Sequence, residues 1–248
     1  MYHKLEYHLT NASGSSKEFH NLLTNKNTLI KKVYGQNNII ISAPHHAKKG
    51  VDHIANGSRP ADNNTGYIAR NIADHLKSTM LVVSEASVDP NKTNGTYYKH
   101  TVDSKPNVLT EIHGHLSGNY DIEVSCGSEK LSIYSEVLAE KIEYYLNQIA
   151  NGLNDEDLAE ELRNITICGE YNKIKMKASH TKTIQEAYPQ TMPYHIELHK
   201  SMRVLDEGTE KSIPIKGVYV SQAIAAALAD VHSNEVVKTS STIEDLLD

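Results

Sequence analysis

The sequence predicts an α/β protein, one domain with a mixed, mostly parallel central sheet and helices on both faces. Three observations lead there. A short continuous apolar run, of the kind buried on both sides of a parallel sheet, stands at 38–43 (NIIISA), and further strand-like segments follow, as at 80–83 (MLVV) and 108–112 (VLTEI). Between some of them lie stretches with apolar residues at helical spacing, and strand–helix–strand order marks a parallel βαβ unit. The 248 residues show no internal repeat and no Gly/Ser linker, and a chain of that length buries a sizeable core unaided.

Taken in order, the first thirty-odd residues are polar and uneven. They predict a helical turn or two over 17–23, on the outside of a polar extension reaching to about residue 35. Residues 38–43 predict the first buried strand, stopped by Pro44. A loop rich in Gly, Asn, Asp and Pro runs to about Asn64. Over 65–78, Ile68, Ile72 and Leu76 stand at fourfold spacing with Ala69 and Ala73 beside them, one apolar helix face that Asn63 or Asn64 would cap. Residues 80–83 supply the next strand. Strands follow at 108–112, after Pro106, and at 120–126. A long helix over 134–149 turns Val137, Leu138, Ile142, Tyr145 and Ile149 inward. The acidic stretch 151–161 reads as a loop or a solvated helix, 165–168 and 194–198 as strands, and Pro214 opens a final helix through Ala229. The tail over 234–248 is polar and expected to be flexible, so residues 1–248 read as one catalytic domain with an extension at each end.

Composition excludes several classes. The net charge is -6 and no basic stripe is present, which argues against nucleic acid as partner. No run approaches the roughly 18 apolar residues of a bilayer span, and the polar N-terminus is unlike a signal peptide. No membrane partner and a cytoplasmic location are therefore expected. Cys126 and Cys168 lie beside apolar runs in no metal-binding spacing, and read as small buried hydrophobes. Tyrosine outnumbers the other aromatics fourteen to one, a bias with no evident physical account. GxGxxG, Walker and GxSxG sequences are absent.

Histidine is the informative excess, with fourteen residues. His45 follows the first buried strand, His113 ends the strand at 108–112, and Glu197 sits in the strand at 194–198. In open α/β sheets the site lies at the carboxyl ends of strands, where residues distant in sequence converge. Two neutral imidazoles and one carboxylate with an open fourth position make a catalytic zinc site. Asp62, at the start of the first long helix, is the carboxylate chosen here and Asp52 its competitor; His46, His53 and His115 remain open as ligands. Glu197, flanked by Ile196 and Leu198, is the candidate general base, with desolvation expected to raise its pKa toward neutrality. Asn91 and Lys92, after an Asp-Pro turn, and Arg59 and Arg203 are candidates for holding a substrate carboxylate.

Together the segments Ile41-Ser42-Ala43-Pro44-His45, Ala61-Asp62-Asn63-Asn64-Thr65-Gly66, Asp89-Pro90-Asn91-Lys92, Glu111-Ile112-His113-Gly114-His115 and His195-Ile196-Glu197-Leu198 resemble the N-formylglutamate amidohydrolase family, in its order and across most of the chain. The resemblance implies a zinc carboxypeptidase-like (phosphorylase/hydrolase-like) fold, one Zn2+ per chain, His45 and His113 as ligands and Glu197 as the catalytic glutamate. Two departures stand out. Lys92 replaces an Arg near the family's substrate site, and Lys48 occupies the position where carboxypeptidases carry their ligand carboxylate. The implied activity is hydrolysis of an amide bond of an N-acyl amino acid or small acidic peptide by metal-activated water. The substrate is then a carboxylate-bearing small molecule or peptide. A poly-γ-glutamate or peptide hydrolase of the same fold, or a non-catalytic protein that keeps the fold and binds a ligand or partner, are the alternatives. Glu197 facing away from the metal would favour the last.

Overall fold

The computed structural model describes residues 5–9, 16–25, 28–34, 37–47, 50–51, 53–54, 59–204 and 213–233. Asp52 and the tail over 234–248 lie outside the described residues. The strands are β1 (Leu5–Leu9), β2 (Thr28–Lys32), β3 (Ile39–Ala47), β4 (His53–Ile54), β5 (Arg59–Pro60), β6 (Asp62–Asn63), β7 (Thr79–Ser84), β8 (Val108–His115), β9 (Ile122–Ser125), β10 (Ile167–Cys168) and β11 (Met192–His199). The helices are α1 (Ser16–Leu23), α2 (Thr65–Leu76), α3 (Thr96–Tyr98), α4 (Ser132–Gly152), α5 (Glu156–Arg163), α6 (Lys182–Ala187) and α7 (Ile215–Val231).

The main sheet runs β1-β2-β7-β3-β8-β11-β9-β10, with β6 paired to β3; β4 and β5 form a separate small hairpin. The central strands β7, β3, β8 and β11 are mutually parallel, whereas β2 against β7 and β9 against β11 are antiparallel. The sheet is thus mixed, as the apolar runs implied. Its two faces differ. Phe19, Ile68, Leu138, Leu162 and Val220, from α1, α2, α4, α5 and α7, join Ile39, Ile41, Val82, Ile112 and Ile196 in the larger core. The opposite face carries a smaller core of Leu29, Ile40, Leu81, Val83 and Leu109, closed by Tyr97 of α3 and Ala187 of α6. Alanine-rich α7 is buried nearly all round, as expected of a helix with no polar face. None of the described helices is long and apolar enough to cross a membrane.

On the face of the smaller core the side chains turn from apolar to polar partway along each strand. Ile40 pairs with Leu109; one step on, Ser42, Glu111, His195 and Ser125 form a row across β3, β8, β11 and β9. The next row sets His113 beside Glu197 and Glu123. Residues two apart on a strand share a face, so these rows make one polar field near the carboxyl ends of the central strands.

The elements differ from expectation in several places. Pro44 does not stop β3, which continues to Ala47. The register against β7 shifts between Ala43 and His46, and this irregularity accommodates the residue that has no N–H to donate. Strand β8 extends three residues beyond Ile112, because β11 keeps pairing with it up to His115. Of the two readings for the acidic stretch the helix is the one found, α5, capped by the Asp155 carboxylate on the Leu158 N–H, but it is not solvated all round, since Ala159 and Leu162 are buried. Asn64 takes the N-cap place of α2 in a left-handed conformation, yet its side chain gives no cap and donates to the Arg203 carbonyl. Strands β1 and β2 add to the sheet edge; β2 has only two apolar residues, Leu29 and Ile30, too few for a visible alternation, and the alternating Leu5, Tyr7 and Leu9 of β1 lie in the stretch expected to be a polar extension.

Candidate metal centre

The bulge in β3 shifts the alternation by one, so that His45, not His46, shares the face of Ser42. His45 turns to the polar field and His46 to the helix side, where its Nδ1 accepts the Gly66 N–H of α2 at 3.1 Å. Strand β6 pairs with the end of β3 and brings Asp62 alongside. His113 comes from β8, next to β3 in the sheet. All three are buried. His45 Nδ1 lies 3.0 Å from His113 Nδ1; Asp62 Oδ2 lies 3.1 Å from His113 Nδ1 and 3.3 Å from His45 Nδ1. Zinc bonds of about 2.0–2.1 Å in a tetrahedron separate ligand atoms by about 3.3 Å. The triangle of two imidazole nitrogens and a carboxylate oxygen is close to that size, and the donor set suits zinc.

The outer nitrogens of both rings face carboxylates. His45 Nε2 lies 2.8 Å from Asp89 Oδ1, and His113 Nε2 3.4 Å from Glu111 Oε2. An ion at the shared point would take the Nδ1 lone pair of each ring and leave its proton on Nε2, facing the carboxylate, the pattern by which carboxylates orient histidine ligands. Arg59 also reaches the centre, its Nε donating to His45 Nδ1 at 2.9 Å. Among the described residues, a second group able to hold a cation comprises Glu111, His113 and His195, and shares His113 with the first.

Charge follows the geometry. Burial alone would push the Asp62 carboxyl up, but its bonds to His113 and His45 outweigh that and hold it well below the usual range. The same opposition raises His113 to about 9: burial lowers it, and Asp62, Glu111 and Glu197 together prevail. Asp89 is held at about 2, burial being outweighed by its bond from His45 and the Arg59 charge. Glu197 reverses the expectation from its apolar flanks. Burial pushes it up, but the His195 hydrogen bond and the charges of His195 and His113 bring it below the ordinary range, so it stands ionised. Its Oε1 is 3.1 Å from His195 Nε2, while Oε2 is buried without a hydrogen-bond partner. His195 is itself lowered, by burial and by the neighbouring His113.

The remaining candidates fall as follows. Asn91 is buried and donates to Glu111 Oε2 at 2.7 Å and to Thr183 Oγ1 at 2.8 Å; Lys92, its neighbour, is exposed. Arg203 is buried, its guanidinium on the carbonyls of Leu198, Asn63 and His115, packed so closely on Gly114 that a Cβ there would meet its Cζ at 2.1 Å. His115 spends both nitrogens on backbone, Nδ1 accepting from Gly118 and Nε2 facing the Asp121 carbonyl. His53 is exposed in β4.

A cleft of about 450 Å³ opens beside the centre and reaches it at Asp62. Asp62, Glu197, Arg59, Arg203 and Lys200 line it, with Val51, Leu116, Met176 and Val204 as apolar wall. Glu123 holds two of the wall segments, its oxygens accepting the N–H groups of Asn119, Tyr120, Lys175 and Met176. Sequence reasoning passed over Asp89, Glu111, His195 and Lys200 as participants. The signal for two of them was present: Glu111-x-His113 and His195-x-Glu197 are spaced by two on strands, and period two puts each pair on one face.

No protein-family model matches the chain, and no curated protein matches it by sequence. Among solved structures, N-acetylmuramoyl-L-alanine amidase from Clostridium difficile 630 aligns with a TM-score of 0.41 and 13% identity, over 81% of this chain and 100% of that one. The amidase Ami1 from Mycobacterium smegmatis aligns with a TM-score of 0.41 and 11% identity, over 79% and 97%. Likeness at this level does not assign the chain to a family.

Proposed function

We propose that this chain is a zinc-dependent amidohydrolase, similar to the N-formylglutamate amidohydrolases, that cleaves an amide bond of an N-acyl amino acid or a small acidic peptide. The observation that carries this reading is the convergence of His45 Nδ1, His113 Nδ1 and Asp62 Oδ2 on one point, with the ionised, half-unpartnered Glu197 one strand away from His113 and lining the same cleft as Asp62.

His45, Asp62 and His113 would hold the metal, one ion per chain. Bound zinc lowers the pKa of water toward neutrality and polarises a carbonyl under attack. Glu197 Oε2 accepts the proton from the attacking water and returns it to the leaving amine. His195 keeps Glu197 in place through Oε1. Arg59 and Lys200, both on the cleft wall, offer cations for the carboxylate of the substrate. Arg203 positions the wall through its backbone carbonyls. A purely binding role is less favoured because Glu197 lines the cleft and leaves an oxygen free of hydrogen bonds.

The test is a metal titration with hydrolysis assays on N-formyl-glutamate, other N-acyl amino acids and γ-glutamyl peptides. The parent should bind one equivalent of zinc and His113→Ala none. Glu197→Gln should keep the zinc and lose about 10²–10⁴ in turnover. Full activity in Glu197→Gln would remove the mechanism; failure of the parent to bind zinc would remove the centre.

A further inference from the structure

Glu111 is fully buried in the middle of β8, two residues before His113 and on the same face of the strand. Its oxygens are occupied. Oε1 accepts the Tyr97 hydroxyl at 2.8 Å and the Thr183 hydroxyl at 2.7 Å. Oε2 accepts the Asn91 amide at 2.7 Å and faces His113 Nε2 at 3.4 Å. An ionised carboxylate offers about four acceptor sites, and four donors from α3, α6, the turn at Pro90–Lys92 and β8 fill them.

That count decides between the two groups of residues that share His113. A cation held by Glu111, His113 and His195 would have to displace one of three short hydrogen bonds, and His195 Nδ1 stands 4.0 Å from Glu111 Oε2. Around His45, Asp62 and His113 the three facing atoms instead lie 3.0–3.3 Å apart, and an ion there displaces the Arg59 Nε donor from His45 Nδ1 while leaving every bond of Glu111 in place. A buried carboxylate left short of donors is costly, so a complete set of donors has to be built with it.

We propose that Glu111, carried by Asn91, Tyr97 and Thr183, is a positioning residue for His113: it takes the Nε2–H and leaves Nδ1 directed at the point shared with His45 and Asp62. The proposal rests on the metal reading given above. Asp89 does the same for His45 from the other side of the centre. With each ring tied by its outer nitrogen, neither has to be ordered when the ion arrives, and both donor nitrogens gain basicity.

Two measurements test this. In zinc-free protein, 1H–15N NMR of the histidine rings should show the His113 Nε2–H far downfield, as a proton hydrogen-bonded to a carboxylate, and moving upfield in Glu111→Gln. In a zinc titration against a chromophoric chelator, folded Glu111→Gln should still bind one equivalent, about 10- to 100-fold more weakly. Thr183→Val, which removes one donor and keeps the carboxylate, should weaken zinc by less; it decides the matter should Glu111→Gln fail to fold. An Nε2–H resonance that does not move in Glu111→Gln, or unchanged zinc affinity in the variants, overturns the proposal. Loss of all zinc from folded Glu111→Gln, or of one of two equivalents, overturns it in favour of a ligand role. Failure of the parent to bind zinc removes the metal reading, and the NMR result then decides separately whether Glu111 holds the ring.

Discussion

His45 and His46 are adjacent in the chain and end on opposite sides of β3, one among Asp62, Asp89, Arg59 and His113, the other beneath the first turn of α2. A strand turns successive side chains to opposite faces, so identical residues meet different chemistry. Arg203 shows the same dependence on surroundings. Its sequence context suggests an anion clamp, but its guanidinium lies on three backbone carbonyls that join the ends of β8 and β11 to the entry of α2. Arg203→Met should cost about 2–4 kcal/mol in a denaturant titration, because those carbonyls lose their donor in a buried place. A variant as stable as the parent would show that water replaces the guanidinium without loss.

At the scale of elements, the polar field needs β3, β8 and β11 held in register, and α2 is the helix that spans β3 and its neighbours on the other face. One tie between α2 and the sheet is ionic. Asp74 accepts from Tyr34 and from Lys32 of β2 at 3.0 Å, with Arg70 one turn away at 3.3 Å. Burial raises the Asp74 carboxyl, but those bonds and charges outweigh it, leaving its pKa lowered. A carboxyl whose folded pKa is depressed stabilises the fold above its unfolded pKa of about 3.9, and loses that contribution as pH falls through the folded value. Asp74→Asn should therefore lower stability at pH 7 by about 1 kcal/mol or less, the side chain being a third exposed. The deficit should shrink as pH falls below about 4; a deficit constant with pH would remove the electrostatic account.

Across the whole molecule, the candidate ligands come from β3, β6 and β8, and the carboxylates behind them from the turn after β7 and from β8 itself. Unfolding scatters all of them, so an ion that binds the folded chain alone stabilises it by mass action. Zinc at a hundredfold excess over its Kd should raise Tm by about 5–10 °C, and chelation should reverse the rise. Calorimetry with and without zinc checks it, and His45→Ala should abolish the shift. An equal shift in His45→Ala would place the ion elsewhere.

Read by itself, the sequence determined the alternation of buried strands and amphipathic helices, since period and apolar content are local properties: α2, α4, α7 and the cores of β3, β7, β8 and β11 were legible from Ile68-to-Leu76 spacing or runs such as NIIISA. It also showed which histidines end up near strand ends. Tertiary structure alone decided which atoms face each other. Asp89 and Glu111 meet His45 and His113 only because the turn after β7 folds back beside β3, and because the register of β8 sets Glu111 opposite Ser42. Pro44 inside a strand, the sign of the Glu197 shift and the burial of Arg203 were hidden for the same reason. Each depends on partners supplied by strands far away in the chain, and hydrogen bonds and charges act over a few ångströms of space rather than along the sequence.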